Sequence, residues 1–354
     1  MTVGDPWDIV GHERVVDLLQ RAIAQRRIGH AYLLSGPLGV GKRTLAIRLA
    51  QALNCERLGP GANPTSGTAS DAPTAEPPCG SCRRCRLIAS GSHPEVRVVG
   101  VEPPHRVIRV ADVESIQADA ALRPADVFRK VYVLEQAELL HPDAANRLLK
   151  TIEEPPPSVL MVLTTVDPEA TLETIVSRCQ HLRLRPLQRD RLAAHLVDTL
   201  GLASERAELL AALGEGCVGR ARTLAADERA LERRSRLLDE LATLVDADRV
   251  ARLQYARTLG DRWSKDQEGV REVLAIWLRW WRDVLLVQGG LAHRIVNLDR
   301  RETLERQARA LSSQEIAAAV SSARDVLQML DQNVNARLAL DVAALDLPRP
   351  DRAA

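Results

Sequence analysis

The 354-residue sequence has no excess of either charge: 48 Lys and Arg stand against 47 Asp and Glu, a formal net charge of +1. That balance excludes a histone-like or polybasic-tail protein held to nucleic acid by bulk charge, though not one with a local basic face. No apolar run approaches the roughly 18 residues that a membrane span needs. The start, Met1-Thr-Val-Gly-Asp-Pro-Trp7, has neither the basic nor the apolar region of an export leader, so the chain is expected to stay where it is made. Cysteine is scarce. Six in so long a chain make no disulfide scaffold, and four of them cluster at metal-ligand spacing, a pattern of a reducing cytoplasm. Lysine occurs only at 42, 130, 150 and 265, so arginine carries almost all of the positive charge.

What is present is enough for a large core. Hydrophobic residues make up 45%, and the length exceeds one ordinary domain of about 100–200 residues, so two or three domains are expected. Up to about residue 187, apolar β-rich runs alternate with helical patterns. Strands are predicted at Ala31–Ser35, Val96–Val99, Lys130–Leu134, Val159–Thr165 and His181–Leu184, with helices beginning near Gly41, Asp112, Pro142 and Glu169. Such alternation predicts a parallel sheet covered on both faces. From 188 to 232 the pattern is helical and rich in small residues, and from 233 to 354 it is long amphipathic helix without strand signal. Between Arg57 and Pro78, 17 of 22 residues are Gly, Pro, Ala, Ser or Thr, which predicts a flexible insert with too little apolar surface to offset its ordering entropy.

Gly36-Pro-Leu-Gly-Val-Gly-Lys42 follows a predicted strand and opens a predicted helix, the context that a phosphate-binding loop requires. Gly36, Gly39 and Gly41 let backbone N–H groups turn inward around phosphates, and Lys42 can reach the outer ones. A magnesium-binding Ser or Thr should follow the lysine. Arg43 stands there instead, and Thr44 lies a further ~100° around the helix, so it is no simple substitute. The second nucleotide motif should be an apolar strand ending in Asp-Glu; Val131–Leu134 ends in Glu135-Gln136. Gln136 can position a water but has no basic carboxylate. Nucleotide binding (ATP or ADP) is thus expected, with Mg2+ doubtful and hydrolysis weakened. The alternative is an ATPase that tolerates both changes.

Cys55, Cys79, Cys82 and Cys85 supply four thiolates, enough to close a tetrahedral shell around Zn2+ with no position left for water, so a structural rather than catalytic zinc is expected. Four free thiols are the alternative. Cys179 and Cys217 read as small core residues, and His93 and His105 show no partner pattern. Trp277, Trp280, Trp281 and Leu285 could share a helix face, as a stacking platform for single-stranded DNA or, more in keeping with their spacing, as packing.

Trp7-Asp-Ile-Val-Gly11, His30-Ala-Tyr-Leu-Leu, the phosphate loop, the four-cysteine insert, Ala145-Asn-Arg-Leu-Leu-Lys-Thr-Ile-Glu-Glu-Pro155 and Ser177-Arg178-Cys179 together resemble the clamp-loader subunits of bacterial DNA polymerase III. This is the AAA+ family that comprises the gamma/tau motor and delta-prime, and the likeness runs from about residue 7 to 187. It implies an α/β RecA-like AAA+ P-loop core (1–187, with the zinc insert at 55–85), then an all-α lid (188–232) and an all-α collar (233–354). The motor members carry Thr after the P-loop lysine and Asp-Glu at the second motif, so the departures imply the non-motor branch. By the same resemblance Arg178 is an arginine finger offered to a neighbour's ATP, Thr165 a γ-phosphate sensor, Arg220 the lid arginine and Glu135 a remnant of the metal shell. Implied partners are gamma/tau and delta in a five-membered ring, with the β sliding clamp and primed DNA reached through it, in the cytoplasm at the replisome. The rivals are a gamma/tau-type motor, a zinc-stapled adaptor outside replication and an unrelated AAA+ helicase.

Overall fold

The computed structural model describes Trp7 and residues 9–58, 78–101, 105–332 and 334–349. Most of the predicted flexible insert at 57–78 lies outside the described residues. The chain forms two compact units, Met1–Leu187 with Cys217–Arg220 and Gln188–Gly216 with Ala221–Ala354.

The first unit runs α1 (Glu13–Ala24), β1 (Ala31–Ser35), α2 (Lys42–Asn54), α3 (Arg83–Ala89), β2 (Val96–Val99), α4 (Val110–Ala120), β3 (Lys130–Leu134), α5 (Pro142–Glu153), β4 (Val159–Thr165), α6 (Glu173–Val176) and β5 (Gln180–Arg183). All five strands are parallel, in the order β2-β3-β4-β1-β5. Every residue of β1, β3 and β4 is buried, because helices cover both faces. Alternate residues serve opposite layers. Tyr32, Leu34, Val131, Val133, Leu160 and Val162 pack with α1 and α2, whereas Leu33, Tyr132, Leu134, Met161 and Leu163 pack with α4 and α5. Ser35 pairs with both Thr165 and Arg183, so β1, β4 and β5 end level, and the loops after them gather at the carboxyl edge of the sheet. Ligands of open α/β sheets bind at that edge.

Two local expectations need correction. Only Glu173–Val176 is helical where a helix was expected from Glu169, because Thr171 is used to close a turn, its backbone N–H donating to Pro168 O and its hydroxyl to Thr165 Oγ1. The fifth strand is shifted one residue earlier than expected, and Leu184 instead donates its N–H to Ser35 O beyond the strand end.

The second unit is helical throughout its described residues, with α7 (Arg189–Leu200), α8 (Ser204–Leu213), α9 (Val218–Ala226, its first turn grouped with the first unit), α10 (Glu228–Asp246), α11 (Arg249–Trp263), α12 (Gln267–Gln288), α13 (Arg301–Ala310), α14 (Ser313–Asp331) and α15 (Ala336–Leu345). α10 passes unbroken through residues 232 and 233, where the sequence suggested a division. The core is built around α12, whose Trp277, Trp280 and Trp281 are all buried. Trp280 Nε1 donates to Gln307 Oε1 at 2.7 Å. These tryptophans pack and offer no stacking platform, and Leu285 leaves their face for partial exposure.

One buried charge ties the end of this unit together. Arg252 is 1% exposed, and its guanidinium donates to the carbonyls of Leu244, Val245, Leu347 and Pro348. Among the described residues its hydrogen-bond partners are all carbonyls, with the charge of Asp246 acting on it without a hydrogen bond. Arg252→Met keeps the apolar stem but strands those carbonyls. It is expected to destabilise the second unit by about 3 kcal/mol in denaturant unfolding. A loss below about 1 kcal/mol would show that the clasp contributes little beyond packing.

Candidate functional site

The loop between β1 and α2 needs conformations that only glycine adopts without strain. Gly36, Gly39 and Gly41 have φ of 146°, 79° and 113°. Space is as restrictive as torsion. A Cβ on Gly36 would lie 2.4 Å from Leu184 O, and one on Gly39 would lie 2.8 Å from the backbone N of Arg220. Gly219 N donates to Gly39 O at 2.8 Å, and Gly36 N donates to Thr165 O at 3.2 Å. His12 Nε2 lies 2.9 Å from Val40 O. The loop is therefore braced from β4, from the segment after β5, from the start of α9 and from ahead of α1, and its open side is the N-terminus of α2. That cradle fits the phosphates of a nucleotide.

Lys42 begins α2 and is only 8% exposed. Its ammonium donates to Gly36 O at 2.5 Å and Pro37 O at 3.0 Å. Burial lowers its pKa, and Glu138 foremost, with Cys217 and Glu135 behind it, works the other way. Glu138 is a residue that motif reading misses. It sits one short turn after Glu135, its Oε1 accepts from Val166 N at 3.1 Å, and its Oε2 is buried with no hydrogen-bond partner. The only signal for it in the sequence is the acidic pair spaced three apart in Glu135-Gln-Ala-Glu138.

The metal-shell positions are rearranged. Arg43 Nη1 lies 3.0 Å from Glu135 Oε2, while Thr44 points into solvent on the next residue of the helix. Gln136 adopts a left-handed φ of 57°, and its N–H donates to Thr164 Oγ1 at 3.2 Å. Between Lys42 and Glu135 stands a guanidinium in place of a hydroxyl, and the expected catalytic carboxylate is an amide. This donor set does not fit magnesium. Thr165 is fully buried, and its hydroxyl is committed to Asp167 O at 2.8 Å. Arg220 brings its backbone, within α9, against Gly39.

Arg178 lies away from the phosphate loop, between α6 and the start of β5, near the amino edge of the parallel sheet. It is half exposed, with Nε 2.6 Å from Glu153 Oε1 and Nη1 donating to Thr174 O at 3.1 Å. Glu153, at the end of α5, is a second residue that the motifs did not single out.

The four cysteines converge from three local devices. Cys55 caps the C-terminus of α2, Cys79 precedes a turn, and Cys82 caps α3, whose first turn holds Cys85. Their sulfurs all lie within 4.8 Å of one another. Cys79 Sγ accepts from Cys82 N at 3.3 Å and Cys82 Sγ from Cys85 N at 3.4 Å, N–H···S bonds that favour thiolates. Burial opposes ionisation of Cys79, but the N–H groups of Cys82 and Ser81 outweigh it and hold the thiol at about 6. Burial pushes Cys55 and Cys85 up. Four sulfurs, no open position and partial burial fit a tetrahedral structural metal ion. The module is wired to the sheet: Gln51 Nε2 donates to Cys85 O, Arg83 pairs with Asp126 at 2.8 Å, and Arg84 lies over the Phe128 ring. Of the other cysteines, Cys217 is buried and Cys179 is only partly so. His93 is buried against Glu95 and Asp126, and exposed His105 meets Arg109.

Residues 11–188 match the family described as DNA polymerase III, delta subunit. Bacillus subtilis DNA polymerase III subunit delta' is 29% identical over 91% of this chain and 92% of its own length. The Pseudomonas aeruginosa delta' is 39% identical over 42% of this chain and 41% of its own. Escherichia coli subunit tau is 36% identical, but over 59% of this chain and 30% of tau.

Cys82→Ser removes one ligand at a partly exposed position. Metal analysis of the purified chain should fall from one zinc per molecule to nearly none, with the melting temperature lowered by several degrees. Because the raised thiols of Cys55 and Cys85 must lose protons to bind, metal retention should weaken as pH falls. Equal metal content in variant and parent would remove the metal reading.

Proposed function

Because the chain belongs to the DNA polymerase III delta-subunit family, whose members are clamp-loader subunits, we propose that it is the delta-prime member of that assembly, a stator rather than a motor. The observation that carries this reading is the pairing of Arg43 with Glu135 beside Gln136. Both positions that hydrolysis needs are altered together. The extent of the likeness supports the same branch: the delta' relative aligns over 91% of this chain and 92% of its own length, whereas tau aligns over 59% of this chain and 30% of its own.

In this reading the first unit is the AAA+ core with a structural zinc, and it holds ATP or ADP without turning it over. The lid ends at Asp227, which caps α10 through a bond from Ala230 N, rather than inside that helix, and α10 to α15 form the collar. The chain sits in a ring with gamma/tau and delta in the cytoplasm, and through the ring it meets the β clamp and the phosphates of primed DNA. Its own chemical contribution is Arg178, whose exposed guanidinium reaches the ATP of a neighbouring motor and stabilises charge on the transferring phosphoryl group. Glu153 and Thr174 O hold that side chain in one orientation in the free chain.

Arg178→Ala is expected to leave ring assembly intact and to lower the DNA- and clamp-stimulated ATPase of the reconstituted complex roughly tenfold. Unchanged turnover would sink the finger assignment. The purified chain alone, with magnesium and primed DNA, is expected to show no turnover. Robust hydrolysis lost in Lys42→Ala would instead make this a gamma/tau-type motor.

A further inference from the structure

In P-loop nucleotide sites the metal is held between the hydroxyl after the lysine and the acidic end of a neighbouring strand. Magnesium bridging two such oxygens sits about 2.0–2.1 Å from each. In this chain those two positions are joined directly, Arg43 Nη1 to Glu135 Oε2 at 3.0 Å, so a fixed cation spans the gap that a mobile one would fill. The contact is set up from both sides. Arg43 occupies the first turn of α2 immediately after the cradle, and Glu135 is fixed by its N–H donating to Val99 O at 2.8 Å, with Gly100 packed against its side chain.

The charges close without a metal. Lys42 and Arg43 supply two positive charges, and Glu135 and Glu138 two negative ones, all at the mouth of one loop. A divalent ion brought in with a nucleotide would have to approach the guanidinium and compete with it for Glu135. Glu135 engages one guanidinium N–H, which leaves the planar fork donors for phosphate oxygens at a position 62% exposed to the incoming ligand.

We propose that Arg43 takes the place of magnesium, so that the loop binds nucleoside di- and triphosphates in their metal-free form. This rests on the reading that the loop holds a nucleotide at all. It adds that the ligand is selected without the metal that motor subunits require, and it gives Arg43 a positive role where its identity otherwise reads as a lost hydroxyl.

The test is titration of the full chain with ATP and with ADP, by calorimetry, in magnesium-free buffer and in excess magnesium. Omitting the metal, rather than adding a chelator, leaves the cysteine site undisturbed. The parent chain should bind with a Kd that magnesium changes by less than about twofold. In Arg43→Thr, which restores the hydroxyl, metal-free binding should weaken about tenfold and magnesium should recover it. Glu135→Gln, which frees the guanidinium, should keep metal-free binding. Binding by the parent that magnesium tightens about tenfold or more, while Lys42→Ala still abolishes it, would overturn this proposal and leave the nucleotide reading standing. No binding in either buffer, or binding indifferent to Lys42→Ala, would remove the nucleotide reading and this proposal with it.

Discussion

Burying a lysine ammonium at the mouth of a glycine loop is the constraint around which the first unit is arranged. At 8% exposure Lys42 has left most of its water behind, and two loop carbonyls, the field of Glu138 and Glu135, and the dipoles around it must compensate. Those groups are useful only if the loop keeps its shape. The loop keeps its shape because Leu184 O, Thr165 O and the backbone at Gly219 and Arg220 press on Gly36 and Gly39, which have no side chain to yield. Parallel strands ending level are what bring those backbones to one edge. Sheet order, strand length and the loop are thus one problem solved together.

The cysteine module addresses the other end of the same sheet. Asn54, just before Cys55, accepts from the N–H groups of Phe128 and Arg129 and donates to Arg129 O. Glu95 gathers the N–H groups of Ala125, Asp126 and Val127, and Asp126 pairs with Arg83 beside Cys82. The segment leading into β3 is therefore held by α2, by α3 and by the residue before β2. Since Glu135 directly follows β3, the register that meets Arg43 at one end is anchored near the metal site at the other. A small module with little apolar surface of its own is suited to such a role only when cross-linked.

The parts of this architecture written as local pattern were legible from the residues. Unbroken apolar runs marked β1, β3 and β4 because strands covered on both faces have no solvent side. The glycine spacing and the four cysteines carried their chemistry in their spacing. Contacts between distant segments were not legible. Nothing near Arg43 in the sequence names Glu135, 92 residues away, as its partner, and nothing in Glu138 or Glu153 separates them from solvated surface acids. The turn at Asp167–Thr171 erased a helix that Glu169 seemed to start, because a threonine hydroxyl found Thr165 across the fold rather than its own helix. Position 232 looked like a boundary by composition, yet α10 crosses it, since backbone hydrogen bonding is indifferent to where small residues thin out.

If the chain is the non-motor subunit proposed above, that same turn gives a reason for keeping its nucleotide fold. Thr165 O holds Gly36 of the phosphate loop, Thr165 Oγ1 holds Asp167 O, and Thr171 Oγ1 returns to Thr165. The next residues form α6 and end at Arg178, whose own N–H donates to Ile175 O. The phosphate loop and Arg178 are thus braced through one short run of buried hydroxyls and backbone bonds. An arginine that acts on another subunit's phosphate works by position, and a misplacement of about an ångström is enough to cost most of its effect. Dismantling the loop would loosen Thr165 and, through Thr171, the turn that leads into α6, just beyond which Arg178 lies. On this account the cradle persists because its rigidity fixes Arg178. Hydrolysis depends on a hydroxyl and a carboxylate that bear on no part of that brace, so in the proposed stator Arg43 and Gln136 would remove it without disturbing the arginine.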